Sequence, residues 1–236
     1  MAVEFKGNIK VSIVIPCYNS HGAVSRQILY FYRLHLPTDV EIIFMDDGSD
    51  PPLKPLAPNF RNINIYPTGD FRPWTQTAAK NLGVKIAEGE YVFITDIDHI
   101  LTWEAIDAVR NFDGDKMVFP RQWGIIDKNG RISQDKNVLM DYGMREIDYI
   151  RKGLNHYIHT NTYAMKKSIF IQIGGYPPVF AEMLKHDIYD DNYLYGRYRR
   201  EVKAQKAKPA VTGPPILTFP GTVKDPKGLF HNLGLR

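Results

Sequence analysis

Tyr91-Val-Phe-Ile-Thr-Asp-Ile-Asp98 sets four apolar residues in a row and ends in two carboxylates one residue apart. A short apolar run rich in aromatic and β-branched residues reads as a strand covered on both faces. Carboxylates at the end of such a strand are costly unless something positive sits there. Asp96 and Asp98, with Ile97 between them, can reach one ligand from neighbouring positions. Magnesium and manganese bind through such oxygens, bridging a few carboxylates to substrate phosphates. A lone Asp-x-Asp is equally at home in a surface turn ahead of a helix cap, here Thr102, so its meaning depends on its surroundings.

Upstream, strand-like and helix-like patterns alternate. Val11-Ser-Ile-Val-Ile15 is a buried strand that Pro16 is expected to stop, and Gly22 to Leu36 carries Val24, Ile28, Phe31 and Tyr32 at helical spacing. Glu41-Ile-Ile-Phe-Met45 is a second strand, ended by Asp46-Asp47-Gly48-Ser49; four prolines make a loop of 50–58, and Asn62 to Tyr66 is a third strand. Thr75 to Ala87 is a helix with Ala78, Ala79, Leu82 and Ile86 on one side, closed before Gly89. This order predicts an α/β fold with a mostly parallel sheet flanked by helices. Ligands of such sheets bind at the carboxyl ends of the strands, where both acidic clusters fall.

The second half is less regular. A hairpin turning at Asn129-Gly130 is expected over 125–132, a strand over 157–165, and a short helix over 167–173 closed by Gly174-Gly175. A last long helix spans 190–207, and the proline- and glycine-rich final thirty residues form a tail packed on the body. No repeat and no second domain is visible.

At 236 residues the chain can bury one substantial core, and 44% hydrophobic with 24% charged residues excludes a disordered chain. The apolar runs are far too short to span a bilayer, and the N-terminus has no apolar h-region. The single cysteine, Cys17, excludes an intrachain disulfide framework and a multi-cysteine zinc site. A cytoplasmic location is the expectation. The net charge of +4 is mild, but Arg197, Arg199, Arg200, Lys203, Lys206 and Lys208 crowd one stretch with Glu201 alone against them. Such a run is a solvated helix face or a contact for phosphate.

Five segments occur in order: Ile13-Val-Ile-Pro-Cys-Tyr-Asn19, Phe44-Met-Asp-Asp-Gly-Ser49, Ala79-Lys-Asn-Leu-Gly83, Ala87-Glu-Gly-Glu-Tyr91 and Thr95-Asp-Ile-Asp98. Together, over about residues 10–200, the chain resembles the family 2 glycosyltransferases, which have the GT-A fold. The resemblance implies a single catalytic domain over 1–236. Its nucleotide-sugar half would be 10–100, its acceptor half 101–210, and 211–236 a tail near the donor site.

The resemblance also implies roles. Pro16, Tyr18 and Asn19 would line the nucleotide pocket and Asp47 would accept a hydrogen bond from the base of a UDP-, GDP- or dTDP-sugar. Asp96 would serve the ribose and the metal sphere, and Asp98 would bind Mn2+ or Mg2+ directly. Arg72 and Lys80 are candidates for neutralising the diphosphate. Family members carry a Glu-Asp pair at a helix start with an arginine six residues on; here Asp190-Asp191 and Arg197 stand in that pattern, after Gly174-Gly175-Tyr176. Asp191 would then be the general base, although acids also favour helix N-termini for capping alone. Some GT-A enzymes use a C-terminal histidine as a metal ligand, which makes His231 a candidate. His99 would point elsewhere if its strand continued.

The chemistry implied is inverting transfer of a sugar to a hydroxyl acceptor. The acceptor is expected to be a glycan or glycoconjugate, with modified nucleic acid as an alternative. A positioned carboxylate takes the acceptor's proton and a metal stabilises the departing diphosphate. Two other classes compete. A nucleotidyltransferase would show a glycine- and basic-rich loop after the first strand, which Pro16-Cys-Tyr-Asn19 is not. A nucleic-acid-binding module would rest on the basic stretch alone.

Overall fold

The computed structural model describes residues 8–54, 56, 62–70, 76–156, 160–177, 190–220, 222–224 and 230–232. The first half runs β1 (Val11–Cys17), α1 (His21–Arg33), β2 (Val40–Asp46), β3 (Ile63–Pro67), α2 (Gln76–Ile86), β4 (Tyr91–Ile94), β5 (His99–Ile100) and α3 (Trp103–Arg110). There follow β6 (Lys116–Val118), β7 (Arg121–Trp123), β8 (Ile125–Ile126), β9 (Ile132–Ser133), α4 (Lys136–Asp141), α5 (Glu146–Lys152) and β10 (Asn155–His156). The rest is β11 (Tyr163–Lys166), α6 (Lys167–Gln172), α7 (Asp190–Lys203), β12 (Val211–Thr212), β13 (Ile216–Thr218), β14 (Thr222–Lys224) and β15 (Phe230–Asn232). No helix among the described residues is long and apolar enough to cross a membrane.

The main sheet has the order β12-β6-β11-β4-β1-β2-β3. Only β11 runs against the others, pairing antiparallel with both β4 and β6. The expected parallel α/β architecture is therefore observed, with one reversed strand. Alternate residues of β1, β2 and β4 feed two separate cores. Ile13, Ile15, Ile42, Phe44 and Phe93 pack with Val24, Ile28 and Phe31 of α1 and Ile106 and Val109 of α3. Val14, Ile43, Met45, Val92 and Ile94 pack with Ala79 and Val84 of α2, Phe170 of α6 and Leu194 and Tyr198 of α7. Burial on both faces is why these strands read as unbroken apolar runs.

Pro16 does not stop β1, which continues to Cys17. Val14 O faces β4, accepting from Thr95 N at 3.1 Å, so Pro16, two residues on, faces the same side. There β4 has already ended at Ile94, and the missing proline N–H breaks no ladder. The hairpin at Asn129-Gly130 forms between β8 and β9. The tail is more ordered than a packed coil: β12 extends the main sheet beside β6, and β13 enters a second sheet of order β10-β7-β13-β5.

Close packing of α2 on the sheet depends on Gly83. A Cβ there would lie 2.4 Å from Val14 Cγ1 and 3.1 Å from Met45 Cγ. Val14 is fully buried and stiff at χ1, so it cannot yield cheaply. Gly83→Ala is expected to destabilise the fold by about 1–3 kcal/mol despite its better helix propensity. Urea unfolding tests this: a midpoint equal to or above wild type would contradict the packing argument.

Candidate active site

The carboxyl ends of β1 and β2 are stitched together by their own motif residues. Asp47 N donates to Cys17 O at 2.9 Å, and Asn19 N donates to Ser49 Oγ at 2.9 Å. Asn19 Oδ1 accepts from Asp50 N at 2.8 Å. The Asp46 carboxylate accepts from Ser49 N at 3.0 Å and Leu53 N at 2.8 Å, which shapes the loop after β2. Gly48 has φ 82°, a left-handed conformation that glycine adopts at least cost. Pro16 and Asp47 are buried here, and Tyr18 and Asn19 half-buried. Burial, together with the charges of Asp46 and Asp47, pushes the Cys17 thiol well up, so it stays a neutral packing group.

The acidic loop after β4 is a turn, not a continuing strand. His99 N donates to Asp96 O at 3.1 Å. Gln27, buried on α1, donates to Ile97 O and His99 O, both at 2.8 Å. Phe219 N, just past β13, donates to Asp98 O at 3.0 Å. The turn brings His99 round to the carboxylates, contrary to the expectation that it points away. One ligand atom from each of Asp96, Asp98 and His99 lies within 4.8 Å of the others. The imidazole is already engaged: Nδ1 lies 2.6 Å from Thr162 Oγ1, and Arg121 Nη1 lies 2.8 Å from Nε2. A guanidinium only donates, so Nε2 accepts and the ring proton sits on Nδ1, towards Thr162. Burial pulls the pKa of Arg121 down, while the charges of Asp98 and Asp96 oppose the shift.

One buried cation joins this loop to the head of α7. Lys80, on α2, is fully buried, with Nζ 3.3 Å from Asp96 Oδ1 and 3.7 Å from Asp191 Oδ1. Burial works against ionisation of Asp96, but the charge and hydrogen bond of Lys80 and the amide of Asn161 hold its carboxyl below the ordinary range. Asp191 Oδ1 accepts from Tyr176 Oη at 2.9 Å, and Tyr176 Oη lies 3.0 Å from Tyr163 Oη. Three residues of Ala79-Lys-Asn-Leu-Gly83 can now be given a reason. Lys80 spans the two carboxylates. Asn81 clamps the Tyr176 backbone, donating to its O at 2.8 Å and accepting from its N at 3.0 Å. Gly83 lets the helix approach the sheet. Gly174 and Gly175, at φ 78° and 57°, make the turn that delivers Tyr176.

The structure thus gathers Lys80, Asp96, Asp98 and Asp191 in one place, with Pro16, Tyr18, Asn19 and Asp47 at the neighbouring strand ends. Arg72 lies outside the described residues. The backbone of His231 belongs to β15, but its side chain lies outside them as well. Arg197 turns inward, donating to Ile173 O at 2.9 Å and lying over the Tyr193 ring. Arg199, Arg200 and Lys203 line a shallow depression with Gly196 on the outer side of α7. Sequence reasoning missed Gln27, Arg121, Asn161 and Thr162, which reach the site only through tertiary packing. Tyr176 carried a signal, its place after two glycines, although its hydroxyl's partner did not.

A family description, "Glycosyl transferase family 2", matches residues 12–174. The poly(ribitol-phosphate) beta-glucosyltransferase of Bacillus spizizenii is 31% identical over 109 residues, which are 44% of this chain and 17% of that protein. The O-antigen chain rhamnosyltransferase RfbN of Salmonella typhimurium is 24% identical over 182 residues, 72% of this chain and 56% of that one. The chain therefore spans between 17% and 56% of the length of these relatives. Mannosyltransferase PcManGT from Pyrobaculum calidifontis, in complex with GDP-Man and Mn2+, aligns with TM-score 0.53 at 16% identity over 91% of this chain and 58% of its own. S. aureus TarS 1–349 in complex with UDP-GlcNAc aligns with TM-score 0.51 at 16% identity, over 86% and 56%. Likeness at such identity speaks for the fold, and the family match, which ends before Asp191, covers most of the chain and every strand-end motif described above. This chain belongs to glycosyl transferase family 2 and has the GT-A fold.

Proposed function

We propose that the chain transfers a sugar from a nucleoside-diphosphate sugar to a hydroxyl acceptor with inversion, Asp191 acting as the base. The observation that carries this reading is the shared ammonium of Lys80, which sets Asp191 beside the Asp96 loop. Asp191 is oriented through Oδ1 by Tyr176 and is largely buried, as a base aimed at one hydroxyl should be. In the transfer the acceptor oxygen bonds the anomeric carbon, the bond to the diphosphate oxygen breaks, and the hydroxyl proton passes to Asp191. One displacement on one face inverts the centre.

A divalent cation fits the donor set, because Asp96 and Asp98 are partly buried carboxylates with ligand atoms close together. When bound, Mn2+ or Mg2+ would act as Lewis acid on the diphosphate. Asp98 is the primary ligand, Asp96 is shared with Lys80 and Asn161, and His99 is held back by Arg121. Lys80 therefore neutralises the two carboxylates rather than facing the donor. Pro16, Tyr18, Asn19 and Asp47 take the nucleotide, with Arg72 and His231 as further donor-side and metal-side groups. The bound GDP-Man and UDP-GlcNAc of the structural neighbours support a GDP- or UDP-sugar, with a dTDP-sugar kept in the screen. The names of the relatives, with poly(ribitol-phosphate) and an O-antigen chain, support a glycan or glycoconjugate acceptor.

A screen of UDP-, GDP- and dTDP-sugars with Mn2+ or Mg2+, reading released nucleoside diphosphate, tests the reading. Asp98→Ala is expected to abolish metal-dependent turnover. Asp191→Asn is expected to lower transfer by roughly 10²–10⁴-fold, the contribution of a general base, with donor binding retained. If no nucleotide sugar binds or turns over with metal present, the proposal is wrong; near-full transfer by Asp191→Asn removes the base alone.

Lys80 gives a second prediction, made in chelator so that metal does not intervene. The folded pKa of Asp96 lies below its unfolded value. Its contribution to stability is therefore full above the unfolded pKa and lost as pH falls through the folded one. Lys80→Met removes the main favourable cause and leaves burial, so the Asp96 carboxyl should protonate at higher pH. Urea midpoints of wild type should fall as pH drops from 7 through the folded pKa, whereas those of the variant, lower at pH 7, should fall less on acidification or rise. Parallel curves would show that Lys80 does not set this group.

A further inference from the structure

Lys116, on β6, is a second buried lysine. It is 1% exposed and sits among three tyrosine rings: Tyr163 at 4.4 Å, Tyr198 at 5.0 Å and Tyr195 at 5.1 Å from Nζ to the ring centroids. Tyr195 and Tyr198 follow Asp191 by four and seven residues on α7, which puts the carboxylate and both rings on one side of the helix. Tyr163, on β11, is the far end of the hydroxyl chain that runs through Tyr176 to Asp191. Lys116 thus touches the elements that hold Asp191 from two directions, through β11 and through α7.

A lysine in this position costs stability. Burial lowers its pKa to about 8, and the charge of Asp191 partly opposes the shift. The unfolded chain therefore binds more protons than the folded one above that value, so folding is favoured as pH rises from about 8 towards the free-lysine value. Aromatic faces offset part of the desolvation. An apolar residue of the same length would fill the cage without the charge, and such replacements are commonly neutral or stabilising. A costly charge enclosed by tyrosine rings and within electrostatic reach of the proposed base is better explained by function than by packing.

We propose that Lys116 is a positioning residue for transfer: its ammonium holds the three-tyrosine cage closed and thereby fixes the head of α7 and the Asp191 carboxylate. The proposal rests on Asp191 being the base. The groups facing the ammonium among the described residues are Tyr163 from β11 and Asp191, Tyr195 and Tyr198 from α7. Its neighbour Asp115 is engaged elsewhere, by Lys208 N at 2.6 Å and Lys166 Nζ at 3.6 Å. Val211 and Thr212 of β12, on the other side of β6, bring no charge.

The test compares wild type, Lys116→Met, Lys116→Arg and Asp191→Asn. Lys116→Met should melt no lower than wild type, so a folding failure does not confound it. Its turnover of a UDP- or GDP-sugar should nonetheless fall roughly tenfold with donor KM unchanged, the scale of one desolvated cation–π contact. Wild-type kcat should decline as pH passes about 8, and Lys116→Arg, charged throughout, should recover activity and lose that decline. Near-UV circular dichroism of the tyrosines needs no donor: wild type should show a transition in the same range, and neither Lys116 variant should. Wild-type rates and pH profile in Lys116→Met, or no tyrosine transition in wild type, overturn the role. If Asp191→Asn is inactive while Lys116→Met is unaffected, the positioning role fails alone. Full transfer by Asp191→Asn instead removes the base on which it rests.

Discussion

The buried ammonium of Lys80 is the constraint around which the site is organised. It has no exposure to water, and two carboxylates near it come from opposite parts of the chain, Asp96 after β4 and Asp191 at the start of α7. Two carboxylates this close and this sheltered repel each other and resist ionisation. The cation held between them makes both charges more tolerable, leaving Asp98 more open beside them. The position of Lys80 depends in turn on α2 lying close to the sheet, which Gly83 permits. The two carboxylates and the packing of α2 are therefore one problem with one solution.

A second layer supports the first. Tyr176 orients Asp191, Asn81 fixes the backbone of Tyr176, and two left-handed glycines deliver it. The acidic loop is held in the same manner, by Gln27 from α1 and by Arg121 and Thr162 from the second half of the chain, which grip the adjoining His99. Side chains at a reacting centre need such support, because their geometry is only as good as that of the groups packed against them. Asp96, Asp98 and Asp191, acids of the same type, thus sit in three different environments.

Much of this was legible in the sequence. The apolar runs of β1, β2 and β4 are visible because both of their faces are buried, and the acids stand out because they interrupt those runs. Gly83 and Gly174-Gly175 mark places where a helix or turn needs what only glycine supplies. Other features left no local trace. His99 was misplaced because alternation along a strand was extended past Ile94, where the chain in fact turns. Pro16 reads as a stop because the early end of β4 cannot be seen from β1. The short strands β12 and β13 carry too few residues to show a period, and Arg121, Thr162 and Gln27 reach the site through contacts sixty or more residues apart in most cases. A polar residue in a helix, such as Gln27, reads as surface until the backbone it holds is known.

The pairing of β13 with β5 has a consequence for the order in which the molecule is made. The parallel strands β4, β1 and β2, with α1 and α2, come from the first ninety-odd residues and can assemble while synthesis continues. The acidic loop belongs to that early segment, yet one of its backbone anchors is Phe219 N, more than a hundred residues later. Loop closure over such a span is slow compared with local helix and hairpin formation. The nascent chain would thus hold a nearly finished sheet with its acidic loop still untethered, and competence would arrive only as β13 slides between β7 and β5.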